Sequence, residues 1–432
     1  MKKLLDVIFV IVLTSLYIFP FNSSLLPSVN TKLMLAAFSL ILFIIKAART
    51  GNAKVCSQKL ILSFWGMAVS LASLISVVIN NTHDYVFVTY IVSMWVWLGG
   101  AYVVIETIRF VHGKVNIRIV GNYLIAVCVA QCFLSQIINA NETVANFVDG
   151  FMVSTGFMGK AENRLYGIGC ALDVAGMKFC TVLILLAYFI ASPVSKYRPH
   201  FERTLYILAF FIISIFGAMI ARTTFWGIVL AVCLWIFQYF RLPKNSDEYM
   251  TFVASIRSLV LFIILSLPVI IYFYYADESF HNNLRFGFEG FFSLAEKGEW
   301  YVRSNKQLLS MVVWPDNFRT WLIGDGYFEN PMNDFYYDGP LYDYYMGTDV
   351  GYCRFIFYFG LLGLIILSAV FIVAAFLCAK NNPKYAVVFW LILLVNFIVW
   401  VKVSSDLFSV FAILLWITSE ENEERERLTV SD

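Results

Sequence analysis

Apolar runs of spanning length recur along almost the whole chain, and polar positions gather in the short intervals between them. A helix crossing the hydrocarbon of a bilayer needs about 20 mainly apolar residues. Runs that meet or approach that length cover 4–20, 31–47, 60–79, 86–107, 119–139, 171–191, 204–220, 223–240, 258–275, 353–378, 385–401 and 406–418. The pattern predicts an all-α polytopic integral membrane protein with about twelve transmembrane helices. One interval departs from it. From 276 to 352 the chain is hydrophilic and rich in Tyr, Trp and acidic residues, and it carries the well-separated Arg285, Arg303 and Arg319. The expected organisation is nine spans with short loops over 1–275, one large loop over 276–352, three further spans over 353–418, and a charged tail over 419–432.

Loop charge orients this array, because cytoplasmic loops carry an excess of Lys and Arg. With twelve spans, Lys2/Lys3, Lys46/Arg49/Lys54/Lys59, Arg109/Lys114/Arg118, Lys196/Arg198/Arg203, Arg241/Lys244/Arg257 and Lys380/Lys384 all fall on one side. The loops 21–30 and 80–85 on the other side have neither residue type. Both termini are therefore expected in the cytoplasm, with the large loop on the opposite, periplasmic face. Topology rather than binding accounts for the basic clusters.

Composition agrees. Hydrophobic residues make up 60%, charged residues 14%, and mean hydropathy is +0.75, whereas a soluble domain carries about a quarter charged residues. A net charge of +2 with no basic tract longer than two residues gives nucleic acid nothing to bind. Lys2 and Lys3 before an apolar run imitate a signal peptide, but Leu4–Phe19 lacks a small-x-small cleavage site and runs into Pro20, as an uncleaved first span does. The eight cysteines lie mostly inside apolar runs and none forms a Cys-x-x-Cys, so neither a disulfide framework nor a zinc site is expected. Phosphate-loop, dinucleotide, zinc-protease and serine-hydrolase motifs are missing, and no cofactor or metal is implied.

Orientation makes some arginines unusual. Arg222, in Ala221-Arg-Thr223, lies between two spans at the non-cytoplasmic edge, against the positive-inside bias. It either snorkels to headgroups or presents a planar fork suited to phosphate oxygens. Arg164 opens Arg-Leu-Tyr-Gly, where the 140–170 loop enters the membrane, and Asp173 and Lys178 follow in the next span. Intramembrane ionisable groups face a cavity or a partner, and an ion pair locking neighbouring helices is the plainer alternative. Asp349 and Arg354 close the large loop. Gly347 and Gly351 flank Asp349, so backbone can approach a ligand there, while helix capping by Thr348 or Asp349 is the structural alternative. The loop's Tyr and Trp suit sugar rings and equally suit the membrane interface. His281, in His-Asn-Asn, is a candidate base or a plain surface residue.

Together, Ala221-Arg-Thr223, Arg164-Leu-Tyr-Gly followed by Asp173, Leu322-Ile-Gly-Asp-Gly-Tyr327, and Thr348-Asp-Val-Gly-Tyr-Cys-Arg354 leading into Phe359-Gly-Leu-Leu-Gly363 resemble the bacterial O-antigen and capsular polysaccharide polymerases of the Wzy type, relatives of the O-antigen ligases. The resemblance covers most of the chain as architecture. It implies a metal-independent, GT-C-like membrane glycosyltransferase at the periplasmic face of the bacterial inner membrane. Its substrates would be undecaprenyl-diphosphate-linked oligosaccharide repeat units, with membrane lipid around it and a chain-length-regulating co-polymerase as a possible partner. A sugar hydroxyl of one unit attacks the anomeric carbon of another, and the lipid diphosphate leaves. Arg222 and Arg285 are then expected to serve the diphosphate and Asp349 the acceptor hydroxyl as catalytic groups. Arg164, Arg303, Asp173, Arg354, Tyr352 and His281 are expected to bind substrate. The first extracytoplasmic loop, 21–30, has no carboxylate, unlike the metal-dependent membrane glycosyltransferases. The alternatives are a ligase passing finished polymer to a lipid A core or protein, and a transporter or flippase of lipid-linked sugar. Ligases use a loop histidine, which His281-Asn-Asn matches only loosely. Transporters favour broken helices and midplane charges, whereas here charges gather at one face.

Overall fold

The computed structural model of the protein describes residues 2–50, 57–153, 164–192, 199–331 and 344–417. Its helices are α1 (Lys2–Ile18), α2 (Thr31–Thr50), α3 (Ser57–Ile79), α4 (Tyr90–His112), α5 (Ile117–Ala140), α6 (Glu142–Phe151), α7 (Leu172–Ala191), α8 (Pro199–Ile220), α9 (Thr224–Arg241), α10 (Asp247–Ala276), α11 (Glu278–Gly287), α12 (Glu289–Lys297), α13 (Arg303–Ser310), α14 (Phe318–Ile323), α15 (Gly351–Asn381), α16 (Ala386–Val399) and α17 (Phe408–Leu414). A small antiparallel hairpin, β1 (Asn22–Ser23) and β2 (Leu26–Asn30), follows α1.

Among the described residues, nine helices are long and apolar enough to cross a membrane: α2 to α5, α7 to α10, and α15. The protein is thus an all-α, multi-pass membrane protein. The three other apolar runs form shorter helices. α1 has 17 residues, α16 has 14 and α17 only seven. Seven helical residues rise about 10 Å, a third of the roughly 30 Å hydrocarbon thickness, so α17 by itself is not a twelfth span. Residues 418–432, which include the charged tail, lie outside the described residues.

The chain divides into two units. The first comprises the described residues within 2–31 and 106–301. Its centre is α7, whose side chains are almost all buried against α5, α8 and α9. Small residues let the backbones close: a Cβ on Gly227 of α9 would lie 2.5 Å from Cys180 Cα of α7. The segment before α7 dips into the helix layer. Gln131, nine residues or about 13 Å before the end of α5, accepts from Ile168 N–H at 3.0 Å and donates to Ile168 C=O at 2.9 Å. Non-helical backbone at such depth persists only when protein groups satisfy it, and Gln131 does so for both polar groups of Ile168.

The second unit comprises the described residues within 32–105 and 302–417. There α3 and α15 run antiparallel. Gln58 and Asn381 exchange side-chain hydrogen bonds of 2.7 and 2.9 Å at one end, and Ser76 Oγ donates to Tyr358 C=O at 2.7 Å near the other. α15 is broken at Phe359–Gly360, where Gly360 takes φ +67° and ψ −173°. Beyond α16, Ser404 bonds Arg354 at the start of α15, while Trp416 Nε1 donates to Leu98 C=O in the interior of α4.

Candidate functional site

The first unit gathers three of the predicted residues. The connection between α8 and α9 is a tight turn at Ala221–Thr223. Ala221 N–H donates to Gly217 C=O, Thr224 N–H to Ala221 C=O, and the Thr224 hydroxyl back to Gly217 C=O. Gly176 of α7 fits beneath this turn, since a Cβ there would approach Thr223 Cβ at 2.9 Å. The Thr223 hydroxyl donates to Asp173, one residue into α7. Beside Asp173, Leu172 holds φ +56°, a left-handed conformation that side-chain-bearing residues seldom adopt and that tends to persist at functional sites. On the other flank, Leu165 N–H donates to Met219 C=O at 3.3 Å, which brings Arg164 beside the end of α8.

The fourth wall comes from the large loop. Asp277 caps α11 by accepting from Phe280 N–H, and Gly287 lets the helix close on α8, because a Cβ there would meet Ala218 backbone at 3.0 Å. This contact delivers Phe286 and Glu289. The Phe286 ring centroid lies 4.3 Å from the Arg222 guanidinium carbon and 4.8 Å from that of Arg164, so two cations share one ring. Glu289 forms an ion pair with Arg222 Nη1. Arg222 Nε is buried and has no hydrogen-bond partner among the described residues.

Electrostatically the cluster holds two guanidiniums and two carboxylates. Burial lowers the Arg164 pKa and the Arg222 charge lowers it further, while Asp173 opposes both. Burial likewise lowers the Arg222 pKa, against Glu289 and Asp173. Both groups stay charged, since a guanidinium does not deprotonate in proteins. Two forks fixed on one ring can hold two phosphate oxygens bidentately. The surprise is Glu289. Arg222 is not an open cation waiting for an anion but one whose fork already carries a carboxylate. No spacing rule points to that partner, which lies 67 residues away.

Arg285 and His281 are in the same unit and engaged otherwise. Arg285 takes Glu296 bidentately at 2.6 and 2.7 Å, contacts the Tyr274 hydroxyl at 3.1 Å, and is largely solvent-facing. Its hydrogen bonds to Glu296 and Tyr274 raise its pKa. The His281 ring stacks on Tyr274 at 4.2 Å, with Nδ1 3.2 Å from Tyr274 C=O. These contacts brace α11 against the end of α10.

The other predicted residues belong to the second unit. Arg354 is buried between the Phe328 and Tyr344 rings, 3.7 and 4.1 Å away, and donates to Ser404 Oγ, Phe328 C=O and Glu329. Tyr352 donates from its hydroxyl to Phe397 C=O at 3.0 Å and from its N–H to Trp400 C=O. Asp349 is partly exposed one turn before Arg354 and acts on its charge. Neither Thr348 nor Asp349 caps α15: the N-cap is Val350, whose N–H donates to Thr348 Oγ1. The close approach allowed by Gly351 is to the chain itself, since a Cβ there would meet Val403 and Trp400 carbonyls at 2.6 and 2.7 Å. Arg303 is exposed at the start of α13. Tyr336, Tyr337 and Tyr342 lie outside the described residues.

Two quoted motifs meet in this unit. The Leu322–Gly326 turn docks into the break of α15, with Asp325 N–H donating to Phe357 C=O at 2.6 Å and Gly326 N–H to Tyr358 C=O at 3.1 Å. These bonds satisfy carbonyls that the break leaves without helical partners. The Asp325 carboxylate accepts from Thr320 Oγ1 at 2.5 Å and the Tyr345 hydroxyl at 3.2 Å. Burial raises its pKa, and those two hydrogen bonds oppose the shift.

Among the described residues, no group of three or more His, Cys, Asp or Glu is placed to hold a metal ion. Compared with models of known protein families, with curated proteins and with solved structures, the chain matches none.

Proposed function

We propose that the protein is a polysaccharide polymerase of the bacterial inner membrane, joining undecaprenyl-diphosphate-linked oligosaccharide repeat units by glycosyl transfer at the periplasmic face. The observation that carries this reading is the pair Arg222 and Arg164 on the shared Phe286 ring, at the turn between two spanning helices. In the reaction, an acceptor hydroxyl oxygen bonds to the anomeric carbon as the bond to the diphosphate oxygen breaks. The electron pair leaves on the diphosphate. Fixed cations placed where that charge develops are the largest expected source of rate, and two forks hold the diphosphate while the sugars align. The hydroxyl proton goes to a base or to water. Arg285 stands outside this assignment because it lies over the Phe292 ring and against Tyr274, not on the Phe286 ring that Arg222 and Arg164 share.

The ligase alternative gains nothing from His281, whose ring is committed to Tyr274. In cells that depend on this protein for polymer, Arg222→Ala is expected to abolish chain formation while expression and membrane insertion persist. Loss of one interaction of this kind costs about 2.7–4 kcal/mol, or 10²–10³ in rate. Wild-type polymer length in the variant, read by gel banding, overturns the assignment. Polymer accumulating on the lipid carrier in a deletion strain supports the ligase, and unpolymerised repeat units support the polymerase.

A further inference from the structure

Glu289 has no role in the reading above, yet it occupies the most important cation in it. It is the first residue of α12, and its carboxylate engages Arg222 with both side chains mostly buried, 18% and 28% exposed. Any anion that uses Arg222 meets this carboxylate first. We infer that Glu289 is an internal competitor built into the Arg222 site, and that it restricts the site to anions able to bridge Arg222 and Arg164 together. The inference rests on the reading of this cluster as a diphosphate site.

The argument is one of exchange. An anion that replaces Glu289 on Arg222 and reaches nothing else makes one ion pair and breaks another. Such a swap has little net gain. A diphosphate makes the same exchange and also reaches the second guanidinium, held on the same ring by Phe286. That second pair, together with Arg222 Nε, which has no partner among the described residues, offsets the displacement. Glu289 then weakens every anion that uses Arg222 by the same factor, and an anion that gains the second pair still binds where a single-contact anion no longer does. It acts as an affinity threshold rather than as a structural strut.

The quantity follows from the occupied fraction. If Glu289 holds Arg222 about nine-tenths of the time, the apparent affinity is about tenfold weaker than the open site's. The test is titration of the purified full chain in lipid nanodiscs with inorganic pyrophosphate and with inorganic phosphate, by calorimetry. Glu289→Gln is expected to bind pyrophosphate and phosphate each about tenfold tighter, with the preference between them unchanged. Glu289→Asp, with a shorter reach, is expected to fall between wild type and Glu289→Gln. It decides the matter if Glu289→Gln does not fold. Glu296→Gln removes a carboxylate from the far end of the same helix and is expected to change neither affinity. If Arg222→Ala abolishes pyrophosphate binding while Glu289→Gln and Glu289→Asp bind no tighter than wild type, the competitor inference falls and the diphosphate site stands. If Arg222→Ala binds pyrophosphate as wild type does, both fall.

Discussion

Three arginines that look alike in sequence meet three different fates. Arg222 shares a ring with Arg164 and carries an intramolecular carboxylate. Arg285 is spent on an exposed bidentate pair with Glu296, of the kind that contributes little to stability. Arg354 is buried and ties the start of α15 to Ser404 and Phe328. Carboxylates decide these fates more than position does, and Asp325 shows the reverse case. Its neighbours donate only neutral hydroxyls, and burial raises its pKa above the ordinary 3.8. Between that ordinary value and the raised one, the folded state binds more protons than the unfolded state. Stability therefore falls as pH rises through the window, and above it the ionised group weakens the fold relative to its protonated form. Asp325→Asn keeps one acceptor oxygen, for Thr320, turns an amide N–H donor toward the Tyr345 hydroxyl oxygen, and removes the titration. Melting of both proteins in detergent, from about pH 4 to pH 7, is expected to show the wild-type midpoint falling relative to the variant as pH rises. Parallel curves overturn this account.

At the scale of elements, the break in α15 is the clearest case of two distant motifs explaining each other. Phe359–Gly360 interrupts the helix, and the turn at Gly324–Gly326 supplies the missing donors. Both glycines are required twice over. Gly324 at φ +76° and Gly360 at φ +67° lie where side chains are strained, and a Cβ on either would come within 2.5 Å of the other segment's backbone. Gly324→Ala and Gly360→Ala are each expected to destabilise by about 3 kcal/mol or more, strain and overlap together. Gly298→Ala, at φ +72° with nothing within 4 Å, is expected to cost only about 1–2 kcal/mol. Unfolding midpoints of the three variants check the ranking, and equal losses would refute the overlap term. The apolar runs foretold eight of the nine long helices among the described residues to within about five residues at each end, because membrane length and backbone satisfaction leave few options. By contrast, α10 begins eleven residues before its run, at Asp247. The motifs Leu322–Tyr327 and Phe359–Gly363 were visible as glycine clusters, but their mutual docking was not, since it depends on packing across more than thirty residues. Arg222 stood out by charge on the unexpected side. Glu289 did not, because an acidic residue in an acidic loop carries no mark of its partner.

At the scale of the whole molecule, what remains to be measured is direction. Nine long helices among the described residues make a multi-pass protein, and the positive-inside rule gives the orientation expected of it. That assignment underlies the proposed function, because the Arg222 turn serves a periplasmic donor only if it faces the periplasm. It also bears on α16, whose 14 residues are preceded by a 3-10 turn at Pro383–Tyr385. With that turn the apolar helix covers 17 residues, Pro383–Val399, about 25 Å at helical rise, enough to cross with slight thinning of the bilayer. Single cysteines introduced into a background lacking Cys56 and Cys233 report the faces directly. In spheroplasts, a membrane-impermeant maleimide is expected to label Leu25→Cys and Lys297→Cys, and also Val401→Cys if α16 crosses. Lys114→Cys and Lys244→Cys are expected to react only after lysis. All five parent side chains outside the helix cores are exposed, so burial does not mask the readout. Labelling of Lys114→Cys in intact spheroplasts would invert the molecule and remove the periplasmic polymerase reading. Protection of Val401→Cys alongside labelled Lys297→Cys would leave that reading in place and make α16 a re-entrant element.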